Sequence, residues 1–600
     1  MSESCCPRNV RLQFGTAVAA QASSIMPAGG PSSPDAGATA APVALWQNTR
    51  VLLALALVLL GADLSPETAA RLKVAWRTET HATAPNARAE KIAAFEATPV
   101  FAEGQLLVIT PFDQVIALDP GTGVERWRFD PHVADRSYSE ASARGVAVSA
   151  GMVYFGTLDA RLIAISAKTG QLAWQAALGE GANDGGYEVT SPPVVVGATV
   201  IVGSSIGDNG RAELEHGTVR AFGAADGKPK WTWDPTPPGR TGAANAWAPM
   251  SVDAARDLVF VPTGSASPDF FGGGRPGDNR YANSVVALQA STGHLVWSFQ
   301  VVHHDLWDYD VASRPEIIEI GGTPAIGVLT KMGHYFALDR STGTPLLPVE
   351  ERAVPASNVE GESAFPTQPF PASGVFTEQR FVPRAGWCAD QFHTLRYDGL
   401  FTPPSTGGTL VFPGNVGGAN WGGGTYDSAR GLIFVAANRL ATAVRLIPRA
   451  AYDSADHGEA GERWGQEYAA QSGTPFGMSR KTFIGPDGRP CGEQPWGALA
   501  AIDVSTGKLR WETPMLPSLG GPMAVNGVVF FGGTVFETRL RAFAADDGRK
   551  LWEADLPFSA HSVPSTYEWE GKRYVVVCAG GHGKVDGSKL GGTVIAFAVE

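Results

Sequence analysis

The chain has 600 residues, more than one ordinary domain of roughly 100–200 residues, so it holds several domains or one large repeat fold. Its 72 glycines, 43 prolines and 16 tryptophans against only 18% charged residues suit many short strands and tight turns and argue against a helical bundle. A net charge of −12 argues against nucleic-acid binding, and five cysteines without CxxC or CxxCH spacing argue against a disulfide scaffold, a thioredoxin-type site or a covalent c-type haem.

Residues 1–50 are rich in Ala, Ser, Pro and Gly without periodicity and are expected to be a disordered leader or an over-extended start. Arg50 then precedes twelve apolar residues, 51–62. A membrane-spanning helix needs about 20 residues, so this run suits the apolar region of a secretory signal, with a short uncleaved anchor as the alternative. The expected division is a leader over 1–70 and an exported body over 71–600.

A repeat fills that body: ALDPGTGVERW (117–127), AISAKTGQLAW (164–174), AFGAADGKPKW (221–231), ALQASTGHLVW (287–297), AIDVSTGKLRW (501–511) and AFAADDGRKLW (542–552). A seventh copy, ALDRSTGTPLL (337–347), has Leu347 in place of the tryptophan. Each copy predicts a strand, a tight turn at the Thr-Gly or Asp-Gly pair, and a second strand ending on Trp. Apolar runs such as QLLVIT and TVIVGS precede most copies, giving about four strands per unit. The first five copies start 47, 57, 66 and 50 residues apart, near or above the roughly 40–50 residues of a propeller blade.

The C-terminus stops at AFAVE (596–600), half a repeat, while VAWRTE (74–79) supplies a strand with Trp76. Joined, they make an eighth unit. The expectation is therefore an all-β, eight-bladed β-propeller whose ring is closed by its N- and C-terminal strands, with the repeated tryptophans packing blade on blade. Between 337 and 501, TLVFPGN and LIFVAAN are assigned to the seventh blade, and Pro366–Pro371 and Gly485–Pro495 to loops. Cys578, inside YVVVC, is expected to be a buried hydrophobe, and Cys388 with Cys491 forms a possible disulfide.

Four polar constellations fall between strands. Asp208 and Asn209 offer two oxygens to a hard cation, although Asp-Asn also makes an ordinary turn. NAWAP (245–249) carries Trp247 ahead of a strand, with SASPD (265–269) one strand later; its ring suits either a flat ligand or the core. VHHDLWDYDV (302–311) is the densest cluster of ligands and bases in the chain; its acids alternate with aromatics that favour burial, so one carboxylate is expected to be desolvated enough to act as a base. In TKMGHYFALD, Lys331 sits at a predicted strand start, where it either stabilises negative charge on a ligand or is simply solvated. His582, in CAGGHGKVDG, is a further candidate beside glycines that allow close ligand approach.

These segments, with LTKMGHYFALDR, YDGLFTPPSTGGTLVFPGN, PCGEQPWGALAAID and VVVCAGGHG, give the chain a strong resemblance to the pyrroloquinoline-quinone (PQQ) dependent dehydrogenases, specifically their membrane glucose and quinate branch, from about Leu72 onward. The resemblance implies Asp308 as general base and Asp208, Asn209 and Ser267 around Ca²⁺ or Mg²⁺. It implies Trp247 against the PQQ plane and Arg144, Lys331, Asn420 and Trp421 at the cofactor. It implies His582 near the substrate mouth; His304 is also assigned to the substrate, and His303 and His304 are expected to support Asp308 and not to bind metal. Two departures stand out. Glu140 to Ala143 replace the histidine or vicinal disulfide that the family carries before its Arg-Gly-Val segment, and a large membrane domain is replaced by twelve apolar residues.

The resemblance thus implies oxidation of a sugar, polyol or cyclic alcohol by hydride transfer to PQQ. Electrons would pass to ubiquinone, in a periplasmic enzyme at the inner membrane, directly or through a separate anchor subunit. The alternatives are a dehydrogenase of simple alcohols and a non-catalytic propeller of the outer-membrane assembly type, which needs no acids and lysine in its channel.

Overall fold

Each copy of the repeat folds as an antiparallel hairpin. In the first, the strands Val115–Leu118 and Glu125–Phe129 flank a turn in which Asp119 accepts hydrogen bonds from Gly121 and Thr122, and Gly123 takes a φ of +71°. The register slips at Ala117/Leu118, and again at the matching alanine of the copies at 164, 221, 287, 501 and 542. A single extra residue beside the turn makes this bulge and adds twist.

The computed structural model describes residues 64–599 apart from 137, 180–185, 237–241, 458–465, 536 and 587–588. These residues belong to one compact unit, which takes in buried Leu64 and Ala69; the leader's apolar run 51–62 lies outside them. The described chain is overwhelmingly β, and no described helix is long and apolar enough to cross a membrane.

Antiparallel four-stranded sheets occupy 100–129, 147–177, 194–233 and 251–300, followed by a three-stranded sheet over 316–339. Four-stranded sheets follow at 424–515 and 523–555, and the last joins three strands of 565–599 to Leu72–Glu79. That N-terminal strand pairs with Thr593–Val599 from Leu72↔Val599 to Glu79↔Thr593. The fifth sheet stops at three strands because its repeat copy puts Pro345 opposite Leu338; proline has no N–H to extend a ladder, and only an isolated bridge forms.

The repeat tryptophans lie against the next sheet's turn. Trp174, Trp231 and Trp511 donate from Nε1 to the carbonyls of Ala224, Ala290 and Ala545, each at 3.0 Å. Trp297 does the same to Arg340 at 3.1 Å, Trp552 to Leu72 at 3.0 Å and Trp76 to Pro120 at 3.0 Å. The turn glycine is required twice over. At Gly548 φ is +69°, and a Cβ there would lie 2.5 Å from the Trp511 ring. The core consists of apolar layers between successive sheets, as where Ile201 and Val219 meet Val259, Val261 and Val286.

The segment between the fifth and sixth sheets differs from the sequence expectation. Leu432–Asn438 (LIFVAAN) belongs to the sixth sheet in chain order, paired with Gly497–Asp503. Thr409–Val411 (TLV) belongs to a separate sheet with Thr442–Pro448, Glu467–Ala469 and Phe476–Thr482, so the two pieces are not one blade. Thr367–Pro371, expected as loop, pairs with Val349–Ala353. A two-stranded sheet tolerates its prolines because an edge strand can leave N–H positions unused. Cys388 and Cys491 do form a disulfide, among Phe381, Phe412 and Phe483, and Cys578 is buried and free.

Candidate active site

VHHDLWDYDV carries the chain from the fourth sheet to the fifth without regular structure. Asp305 organises it: its carboxylate accepts from the backbone N–H of Trp307 at 3.1 Å and of Tyr309 at 2.8 Å, from Asn283 at 3.1 Å, and from the Ser265 hydroxyl. Trp307 and Tyr309 are buried against Phe401, and donate to the carbonyls of Thr402 and Pro413. Asp308, fixed between them, is held at φ +62°, a left-handed conformation costing a non-glycine residue roughly 1–2 kcal/mol.

Lys331 faces this segment from the turn between Thr323–Leu329 and Tyr335–Asp339, not from the strand start expected for it. Its Nζ donates at 2.8 Å to the Asp308 carbonyl, to Asp308 Oδ1 and to Asp310 Oδ2. The glycine-rich segment GGANW seats this turn, since Gly418 N–H donates to the Lys331 carbonyl at 2.6 Å. A Cβ on Gly417 would lie 2.5 Å from Lys331 Cγ. Arg480, from Phe476–Thr482 of the inserted sheet, donates to Asp308 Oδ2 at 2.6 Å while also bonding Glu467 at 3.0 Å.

Charge balance follows from this geometry. Burial pushes the Asp308 carboxyl up, Lys331 pulls it down, Asp310 pushes and Arg480 pulls, leaving it at about 6. Asp310 lies below the usual carboxylate range because Lys331, aided by the 2.7 Å bond from Ser265 N–H, outweighs its burial. Burial and the nearby Asp310 and Asp308 push Asp208 well up. A carboxylate buried among others stays ionised only with a cation close by.

The predicted metal residues fit one. Ser267 Oγ contacts the Asp208 carbonyl at 3.0 Å and the Arg211 carbonyl at 2.6 Å, tying SASPD to the Asp208–Asn209 loop. Asn209 Oδ1 and Asn245 Oδ1 are buried with no hydrogen-bond partner among the described residues. Among the described residues, the side chains whose ligand atoms lie within 4.8 Å of one another are instead Glu96, Glu140 and His582. Arg144 already bridges both of those carboxylates, at 3.0 and 2.9 Å, so a guanidinium supplies the cation there.

The same arginine lies 5.0 Å from the ring centroid of half-buried Trp247 and 5.5 Å from that of Trp421, and Lys331 lies 6.0 Å from Trp247. Trp421 Nε1 is buried without an acceptor among the described residues. One aromatic face bounded by two cations and an unused donor suits a planar, polyanionic quinone such as PQQ. Asn420 acts on the backbone, bonding Val416 O and Trp421 N at 2.6 and 2.7 Å. His582 Nε2 is 3.6 Å from Glu140, and burial acting on Glu140 is outweighed by Arg144 and His582, which hold its carboxyl below the usual range.

Neither histidine of VHHDLWDYDV bonds to Asp308. His304 pairs with the Gly277 carbonyl and Glu362, and His303 with Gln300 and Glu351. Their expected support of the base is taken by Lys331 and Arg480. Arg480, Asp305, Asp310 and Asp269 were absent from the sequence-derived site. Arg480 carried one signal: it lies two residues from fully buried Met478 in a strand, so both share a face and a charge is directed inward.

The sequence profile described as "PQQ: Glucose/ethanol/alcohol dehydrogenase, beta-propeller domain" matches residues 61–575. Quinoprotein glucose dehydrogenase A of Acinetobacter calcoaceticus is 36% identical, across 84% of this chain and 73% of the relative. The quinate/shikimate dehydrogenase (quinone) of Acinetobacter baylyi is 32% identical, across 88% and 76%. The crystal structure of quinohemoprotein alcohol dehydrogenase from Comamonas testosteroni superposes with a TM-score of 0.67 at 25% identity, across 90% of this chain and 78% of that one. With its repeat hairpins, its carboxylate–lysine cluster and a family match over most of its length, the chain belongs to the PQQ-dependent glucose/ethanol/alcohol dehydrogenase β-propeller family.

Proposed function

We propose that this protein is a quinoprotein dehydrogenase that oxidises a sugar, polyol or cyclic alcohol of the glucose or quinate kind and uses a quinone as electron acceptor. The observation that carries the reading is Asp308, a buried carboxylate held by Lys331 and Arg480 next to the Trp247 face. With an ionisation near 6 it is a base at neutral pH. It accepts the substrate hydroxyl proton. Lys331 offsets negative charge that develops on a ligand over Trp247, and Arg144 and Trp421 orient that ligand. Bound PQQ supplies the acceptor for the hydride leaving the carbinol carbon. Asp208, Asn209 and Ser267 would hold a Ca²⁺ or Mg²⁺ ion, which would supply Lewis-acid polarisation. His582 lines the approach to the site in this reading, while His304 is buried with its ring nitrogens on the Gly277 carbonyl and Glu362.

The eight sheets are read as eight blades closed into a ring. In support, the tryptophan contacts pass from sheet to sheet through Trp552 to Leu72 and through Trp76 to Pro120, across the pairing of the two terminal strands. A leader with a signal or short anchor at 51–62 precedes a body that already includes buried Leu64 and Ala69, and that body works in the periplasm at the inner membrane. Ubiquinone is the acceptor, reached directly or through a separate anchor subunit; the acceptor reading is supported by the quinone named for the Acinetobacter baylyi relative. Reconstitution with PQQ and Ca²⁺ followed by dye reduction over aldoses, polyols, quinate and simple alcohols tests this. Turnover is expected with a sugar, polyol or cyclic alcohol; turnover with none of them would overturn it.

A further inference from the structure

Asp269 is a carboxylate with nothing to bond to. It is fully buried, and neither Oδ1 nor Oδ2 has a hydrogen-bond partner among the described residues. Phe270 and Phe271, both buried, follow it directly and anchor its backbone in the core. After burial, the charges acting most strongly on it are Asp208, Asp308, Asp310 and Asp305, all acidic.

Among the described residues, the guanidinium groups of Arg275 and Arg480 act on it through space, and neither donates a hydrogen bond to it; Arg275 Nε is buried without a partner there. Arg275 donates its terminal nitrogens to Asn279 and to the carbonyls of Pro268 and Asp305. Arg480 is bound to Asp308 and Glu467, with its guanidinium 5.5 Å from the Phe270 centroid. Leaving an ionised carboxylate buried and unpaired costs several kcal/mol. A cation bonded directly to its two free oxygens would both satisfy them and offset the repulsion among these acids. Its own segment, SASPD, is the one that Ser267 ties to the Asp208–Asn209 loop.

We propose that Asp269 is a direct ligand of the metal ion held by Asp208 and Asn209, giving that site a second carboxylate beside that of Asp208. This rests on the reading of Asp208 and Asn209 as metal ligands. With two orphaned carboxylate oxygens on Asp269 and an orphaned amide oxygen on each of Asn209 and Asn245, the site is all oxygen and anionic, the chemistry of a hard cation such as Ca²⁺.

The test is Ca²⁺ binding by calorimetry, with metal content after dialysis and thermal unfolding of the metal-free full chain, without reference to turnover. Wild type, Asp269→Asn, Asp269→Ala and Asp208→Asn are compared. Asp269→Asn is expected to melt at or above the metal-free wild type, since it removes an unpaired charge, yet to lose at least about tenfold in Ca²⁺ affinity and most of the Ca²⁺-induced rise in Tm. Asp208→Asn is expected to lose affinity similarly. Ca²⁺ affinity in Asp269→Asn within about threefold of wild type, where wild type binds, would overturn the Asp269 assignment alone. Failure of wild type to bind Ca²⁺ or Mg²⁺ would overturn the underlying metal site as well. Failure of both Asp269 variants to fold without metal would also count against the proposal, because a carboxylate that bonds to no protein group cannot be what holds the fold.

Discussion

Arg480 donates to Asp308 Oδ2 at 2.6 Å across 172 residues of sequence, so the inserted sheet reaches back to grip the proposed base. The guanidinium is one of two cations that pull Asp308 down from where burial alone would leave it. In Arg480→Leu the carboxyl is therefore expected to ionise above about 6, and the acid limb of kcat/KM to move to higher pH. A shift of about one pH unit corresponds to roughly tenfold less activity on that limb, with little loss well above it. A pH profile that keeps its acid limb would show that Arg480 does not act through Asp308.

Lys331 neutralises both Asp308 and Asp310. Removing one partner of a buried ion pair strands the other and typically costs about 3–5 kcal/mol. Lys331→Ala is expected to lose stability on that scale in denaturant unfolding of the cofactor-free protein, together with its turnover. Lys331→Arg, which keeps the charge, should recover part of the stability. Wild-type stability in Lys331→Ala would contradict the paired geometry.

The inserted sheet is closed by Cys388–Cys491, which spans 103 residues. A cross-link over about 100 residues contributes at most roughly 4–5 kcal/mol on the chain-entropy account. Reduction is expected to lower Tm and to reduce turnover, because the insertion carries Arg480. Unchanged Tm and turnover on confirmed reduction would argue that the insertion holds its position without the disulfide.

Turn glycines separate backbone strain from tryptophan docking. Gly548 and Gly571 have φ of +69° and +74°, but only at Gly548 would a Cβ strike a tryptophan, Trp511. Ala at Gly571 should cost about 1 kcal/mol, and at Gly548 about 1–3 kcal/mol more. Equal losses by urea unfolding would mean that the tryptophan contact adds nothing.

What the sequence made legible was what repetition and local chemistry encode. Seven copies ending Thr-Gly or Asp-Gly and, six times, Trp imply strand–turn–strand units, and Trp76 with the C-terminal half-repeat implies their terminal partner; the hairpins and the pairing of Leu72–Glu79 with Thr593–Val599 match. Asp308 and Lys331 stood out because charge is unusual in apolar surroundings, and they meet at 2.8 Å. Long-range partners were not legible. Nothing local to MSRKT says that Arg480 will meet Asp308, and nothing in TLVFPGN says that its strand leaves the sheet that LIFVAAN joins. His303 and His304 misled because adjacent histidines beside aspartates look like a cluster, whereas the positive φ at His304 and Asp308 sends their side chains to different partners.

The central claim is that Asp308 is the base of a PQQ-dependent oxidation. The most direct measurement is Asp308→Asn reconstituted with PQQ and Ca²⁺, with bound PQQ counted by absorbance and turnover measured by dye reduction on a substrate that the wild type oxidises. The account predicts PQQ bound at the wild-type ratio with turnover reduced by about a hundredfold or more. Undiminished turnover at full PQQ occupancy would contradict it.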